Sequence, residues 1–187
     1  MIILGLDVSL NKTGAAVIDT ITRTFQTFTF VVPAKTVKAG GHERIQWVRD
    51  SLHGTWNTFR PDVAVVEAPA YGAQGSAVYQ LAGIRSHLTH DLWTWGTPYA
   101  SISPGTCKVY ATGNGNADKD AMILATARAF ADFAGDNNAA DALWLAAMGS
   151  DHYGQPIVEV AGKKRRDSIQ GTKKTPHRWP ELRGAGA

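Results

Sequence analysis

At 187 residues, 44% of them hydrophobic and 19% charged, the chain is long enough to bury one substantial core and too short for two large domains. No run of about 18 or more apolar residues occurs, the start MIILGLDVS lacks the basic region and cleavage site of a signal peptide, and a lone cysteine, Cys107, excludes an internal disulfide and a multi-cysteine zinc site; a soluble cytoplasmic protein with no membrane partner is expected. The net charge of +3 is uneven, because the segment from Lys163 to Ala187 holds eight basic and two acidic residues while the 162 residues before it hold 11 basic and 14 acidic.

In chain order, Ile2 to Val8, Gly14 to Asp19 and Thr24 to Val32 read as strands rich in β-branched and aromatic residues. Their connections are short enough for hairpins, so the three should run antiparallel. From Gly41 to Phe59 the apolar residues Ile45, Val48, Leu52, Trp56 and Phe59 recur at three- to four-residue spacing, as an amphipathic helix requires. Val63 to Glu67 is a short buried strand, Gln74 to Trp95 a helix, Tyr99 to Ser103 a fifth strand, Asn116 to Phe133 a helix and Asn138 to Gly149 the last helix. Trp93, Trp95 and Trp144 have apolar neighbours and read as core or interface residues, and the six histidines show no ligand spacing. Beyond His152 the composition turns polar and basic, so a domain over 1–152 followed by a flexible tail over 153–187 is expected. An antiparallel meander followed by alternating helices and strands gives an α/β fold, a five-stranded mixed sheet flanked by helices, in the element order of the RNase H-like fold. That fold hosts nucleases, kinases and chaperones, so it does not by itself specify an activity.

Three carboxylates interrupt apolar elements. Asp7 lies in IILGLDVS, Glu67 ends VAVVE on the same face as Val63 and Val65, and Asp141 sits in NAADALWLAAM. Singly, each reads as a hydrogen-bonded structural acid or a cap; together, near the ends of their elements, they point to a shared site. Crowded carboxylates take up protons unless a cation lies between them. Magnesium suits such a donor set, with manganese an acceptable substitute, and a pair of such ions about 4 Å apart hydrolyses phosphodiesters.

GLDVSLNKTGAAVID resembles the first strand and turn of RuvC-type resolvases, VVEAPAYG their second acidic motif, SPGTCKVYATGNGNADKDAM the segment that follows, and AADALWLA their closing helix. The resemblance covers about residues 2 to 150 and implies a Holliday junction resolvase, or a related nuclease of branched DNA, with Asp7, Glu67 and Asp141 as catalytic magnesium ligands. The family's last motif reads DAAD, whereas this chain has Asn138 at its first position. An amide oxygen still ligates a hard cation, though with less charge, and Asp136 either compensates or serves as a helix cap. The resemblance places Lys108 and Lys119 near the scissile phosphate, where they would neutralise developing charge; otherwise they are solvated surface lysines. Tyr71 would stack on a base at the branch point or pack on the sheet edge. Lys163, Lys164, Arg165 and Arg166 would hold a duplex arm through its phosphates, or merely solubilise the terminus. A junction's two-fold symmetry calls for a homodimer, with the helix from Gln74 to Trp95 as its interface. Cytoplasmic placement, in the host if the chain is phage-encoded, goes with that reading. The competing readings are an RNA-processing nuclease of the same fold, a junction-binding protein weakened in catalysis by Asn138, and an actin-like sugar or acetate kinase, for which a second lobe is missing.

Overall fold

Runs of apolar, β-branched and aromatic residues at the start of the chain build a meander of β1 (Ile2–Asp7), β2 (Lys12–Asp19) and β3 (Thr24–Val31). The computed structural model describes residues 1–69, 75–171 and 176–182. After the meander come α1 (Ala34–Ala39), α2 (Gly41–Phe59), β4 (Val63–Glu67), α3 (Ser76–Thr94), β5 (Tyr99–Ile102), α4 (Pro104–Thr112), α5 (Lys119–Ala129), α6 (Asn137–His152) and α7 (Lys163–Asp167). The sheet order is β3-β2-β1-β4-β5, with β1, β4 and β5 parallel and β2 antiparallel to both of its neighbours. Among the described residues no helix is long and apolar enough to cross a membrane.

The two-residue period of the strands divides the core into two layers. Ile3, Ala16, Ile18, Val63, Val65 and Ile102 pack against α4, α5 and α6, while Leu4, Leu6, Ala15, Val17, Ala64 and Val66 pack against α2 and α3. Helix α6 is buried from Ala142 to Ser150 because it lies directly on the sheet. Glycine makes that approach possible: a Cβ at Gly5 would stand 1.9 Å from the Ala142 carbonyl oxygen, and one at Gly14 would stand 2.1 Å from that of Asn138. Trp144 closes this layer and donates through Nε1 to Thr126 Oγ1 at 2.9 Å, whereas Trp93, 72% exposed, belongs to no core.

The expected strands and longer helices agree with the structure to within a few residues, and α1, α4 and α7 are additions. Helix α4 has an amphipathic pattern too short to stand out, although its ends are well marked. Ser103 accepts a hydrogen bond from the Thr106 N–H as N-cap, Pro104 opens the first turn, and Gly113 closes it in the left-handed conformation.

The segment after His152, expected to be a flexible tail without fixed structure, is docked wherever it is described. Val160 and Ile169 are buried in the layer of α4–α6, and Ile157, Val158, Trp179 and Leu182 pack against it. Trp179 stacks on His152 with ring centroids 4.3 Å apart and donates to the Ile169 carbonyl at 2.9 Å. Arg165 donates to the Tyr110 and Ala111 carbonyls at 2.7 and 2.6 Å, and Lys164 to that of Gly113 at 3.0 Å. These oxygens belong to the C-terminal end of α4, where carbonyls lack helical partners and the dipole favours cations.

Candidate active site

Parallel pairing fixes the first two acids. Leu6 is in register with Val66 and Glu67 with Ile102, so Asp7 and Glu67 end adjacent strands at the same edge of the sheet and on the face covered by α6. Asp7 also pairs with Gly14 of β2, the position against which α6 sits at Asn138. Asp141 lies one turn further along α6, directly before Ala142, whose carbonyl faces Gly5. The close approach at the two glycines thus brings the third acid to the other two.

Electrostatics reports the consequence. Burial raises all three carboxyls, and each feels at least one of the others. Asp141 is pushed up to about 7, by burial and then by the charge on Asp7, against the pull of Lys108 and Lys119. Glu67 is raised furthest, by burial and then by the neighbouring Asp7, so of the two acids it is the one whose protonated form is favoured. Asp7 is raised by burial. Among the described residues no three His, Cys, Asp or Glu side chains are gathered closely enough to hold a metal ion as they stand. The set of Asp7, Glu67 and Asp141 is all-oxygen, anionic and underneutralised, which in chemical type fits a hard divalent cation replacing the proton favoured on Glu67.

Lys108 on α4 and Lys119 at the first turn of α5 both act on these acids, Lys108 on Glu67 and Asp141, Lys119 on Asp7 and Asp141. Asn138 and Asp136 are otherwise engaged. The Asn138 amide donates to the Lys12 carbonyl at 2.7 Å and its Oδ1 accepts from Asn137. Asp136 is the N-cap of α6: Oδ1 accepts from the Ala139 N–H and the Thr29 hydroxyl, both at 3.0 Å, while Oδ2 pairs with Lys12 at 2.5 Å. Burial opposes its charge, but these partners prevail and hold its carboxyl below the usual range. Of the two roles open to Asp136, the cap is filled. Cys107 lies behind the acids, fully buried, and burial with their charges pushes its thiol far up, so it is no nucleophile. Tyr71 lies outside the described residues. Lys163, Lys164, Arg165 and Arg166 stand apart from the trio beside α4, and Arg165 spends its guanidinium on docking.

Two contributors escape a reading by motif. Gly5, inside a strand, is signalled by its residue type, since glycine there marks close backbone approach. Arg85 of α3 donates through Nε to the Glu67 carbonyl at 2.8 Å and also bonds the Ser101 hydroxyl, fixing the end of β4 against β5. A lone arginine on an amphipathic helix gives no sequence signal of that role.

The family model described as "Crossover junction endodeoxyribonuclease RuvC" matches residues 3–148. The chain belongs to the RuvC family. Among curated relatives, the RuvC of Rhizobium rhizogenes is 30% identical over 150 residues, covering 77% of this chain and 85% of that protein. That of Gloeobacter violaceus is 26% identical over 164 residues, 86% of this chain and 94% of its own length. Among solved structures, Thermus thermophilus RuvC in complex with a Holliday junction substrate superposes with a TM-score of 0.68 at 18% identity, over 83% of this chain and 97% of that one. This likeness shows an RNase H-like fold. All three acids of this RuvC chain fall within the matched residues, whereas the docked C-terminal segment lies outside them.

Proposed function

We propose that this chain is a magnesium-dependent endonuclease that resolves four-way DNA junctions, with Asp7, Glu67 and Asp141 as the metal ligands. The observation that carries the reading is the placement of three carboxylates at one end of the sheet, Asp7 buried and Glu67 and Asp141 partly buried, with burial raising all three. Asp7, Glu67 and Asp141 would hold magnesium, or manganese in its place, which would supply charge to activate a water and to stabilise the leaving oxygen. The protein's own part is to hold the three acids rigidly on β1, β4 and α6, to exclude water behind them with Cys107 and the buried layer, and to set Lys108 and Lys119 where charge develops on the phosphate. Asn138 and Asp136 support α6 and stand outside the ligand set.

The substrate reading rests on family membership together with the basic surface beside α4. Lys163, Lys164 and Arg166 are exposed, and the two lysines line a cavity of about 790 Å³ with Ser103, Thr106, Asn116 and one acid, Asp167, between the end of β5 and α7. A phosphate backbone suits that lining. Tyr71 is assigned to stacking at the branch point. A homodimer gives two opposed cuts, and the outer face of α3, where Tyr79 and Ala82 are exposed, is its proposed contact. The proposed place of action is the cytoplasm.

The test is cleavage of a synthetic four-way junction by the full chain in magnesium, in manganese and in chelator, with flap, duplex and RNA substrates alongside. Paired, metal-dependent cuts in the junction are expected. Tight junction binding without cleavage in either metal would favour a binding protein, a reading that Asn138 in place of an acid supports. Preferential cutting of RNA would overturn the substrate class.

A further inference from the structure

On the opposite face of the sheet a positive charge is buried without a counterion. Arg44 is 8% exposed, and among the described residues no carboxylate pairs with it. Its terminal nitrogens donate to neutral oxygens, the Gln80 side chain at 3.2 Å and the Val37 carbonyl at 3.1 Å, and its Nε–H is sealed from solvent without an acceptor. Arg44, Gln80, Tyr79, Gly41 and Gly83 line a cavity of about 270 Å³ between α2 and α3. A buried guanidinium left in this state is costly unless an anion enters beside it.

Topology sets the cavity close to the acids. β3 runs parallel to β1, so α2, which follows β3 and the short α1, starts near the sheet edge where Asp7 and Glu67 lie; α3, which follows β4, starts at that edge too. Arg44 is in the first turn of α2 and Gln80 in the second turn of α3. Gln80 precedes Arg85, which bonds the Glu67 carbonyl, by five residues, or about 7.5 Å of helix.

We infer that Arg44 and Gln80 form an anion site, around the rim of the sheet from the three acids, that takes a phosphate of the DNA backbone. The inference rests on the proposed DNA substrate and adds a contact on the α2–α3 side. Guanidinium matches phosphate with several donors at once, and Gln80 can turn its amide N–H₂ to the same oxygens. A phosphate that arrives with substrate and leaves with product explains why none of the described residues provides an acid for it. Little more than one turn further along α2, Arg49 does have such an acid, Asp91, with contacts of 2.6 and 2.7 Å.

The experiment measures four-way junction binding by full-length Asp7→Asn protein, which leaves the junction uncut, over a salt series with Arg44 native, Arg44→Met and Arg44→Lys. Thermal melting of each protein with and without inorganic phosphate runs in parallel. Arg44→Met should weaken binding roughly tenfold and lower the slope of log affinity against log salt by about 0.9, one phosphate contact. Arg44→Lys should keep the slope. Phosphate should raise the melting temperature of the native-Arg44 protein and not that of Arg44→Met, whose own melting temperature should be no lower. An unchanged slope together with an unchanged phosphate response overturns the site. So does loss of self-association on Arg44→Met with the slope intact, which would mean a carboxylate of a second copy occupies it. If Arg44→Met does not fold, absence of any phosphate stabilisation with Arg44 native overturns the inference by itself. Failure of the Arg44-native protein to bind junctions contradicts the proposed substrate instead, and is told apart by the DNA-free melting.

Discussion

The two faces of the sheet treat buried charge in contrasting ways. Under α6, Asp7, Glu67 and Asp141 stand at one end of the sheet, and burial raises all three carboxyls. Under α2 and α3, Arg49 and Asp91 form a bidentate pair, while among the described residues Arg44 nearby has only neutral partners. A completed pair is a structural contact; an uncompensated charge, negative or positive, marks a place where a ligand of opposite sign belongs. The acid edge and the Arg44 cavity differ in sign, as a metal site and a phosphate site should.

The largest effect separates the acids from the rest of the face that holds them. Asp7→Asn should lower junction cleavage by about a thousandfold while leaving junction binding within a few-fold, because backbone contacts supply most affinity. Parallel loss of binding in a gel-shift titration would make Asp7 a structural residue. Next comes the approach of α6. Gly14→Ala puts a methyl where the Asn138 carbonyl stands, 2.1 Å away, and should destabilise the fold by about 3 kcal/mol, read by urea denaturation; a change below about 0.5 kcal/mol would mean that α6 is not held by this contact.

A smaller effect sharpens the contrast between paired and unpaired charge. Asp91→Asn removes the partner of a half-exposed arginine and should reduce stability by about 2 kcal/mol, whereas Arg44→Met should be neutral or stabilising in the absence of DNA. Equal losses in the two variants would erase the distinction. The smallest effect follows pH. The folded-state carboxyl of Asp141 lies at about 7 against an ordinary 3.8, so the metal-free native state binds more protons than the unfolded chain between those values. This contribution to stability is fully present below about pH 4 and is lost as pH rises through about 7, with Glu67 extending the loss to more alkaline pH. In chelator, melting temperature should therefore decline over this range, and Glu67→Gln should flatten the decline; a rise with pH common to both proteins would contradict the assignment.

Much of the fold and of the acid site is legible in the amino-acid sequence. The strands and long helices announce themselves by period, and Asp7, Glu67 and Asp141 stand out because each interrupts an apolar element. What is not legible there depends on contacts distant along the chain. The docked C-terminal segment is held by apolar residues as far apart as Val160, Ile169 and Trp179, too sparse for any periodicity. Asn138 binds the Lys12 carbonyl across 126 positions, and Arg85 reaches Glu67 across 18. Arg44 reads as one polar residue on an amphipathic helix, and only the packing of α3 over α2 buries it.

The central claim is that Asp7, Glu67 and Asp141 form one cation site whose occupation displaces the proton that burial and Asp7 favour on Glu67. Calorimetric titration of magnesium into the full chain at about pH 7, repeated in buffers of different ionisation enthalpy, counts the protons displaced. The account predicts magnesium binding with release of more than one proton, about one from Glu67 and the remainder from Asp141, and Glu67→Gln loses the Glu67 share. Magnesium binding with no proton released, or no binding to the native protein at any pH between about 6 and 9, would contradict it.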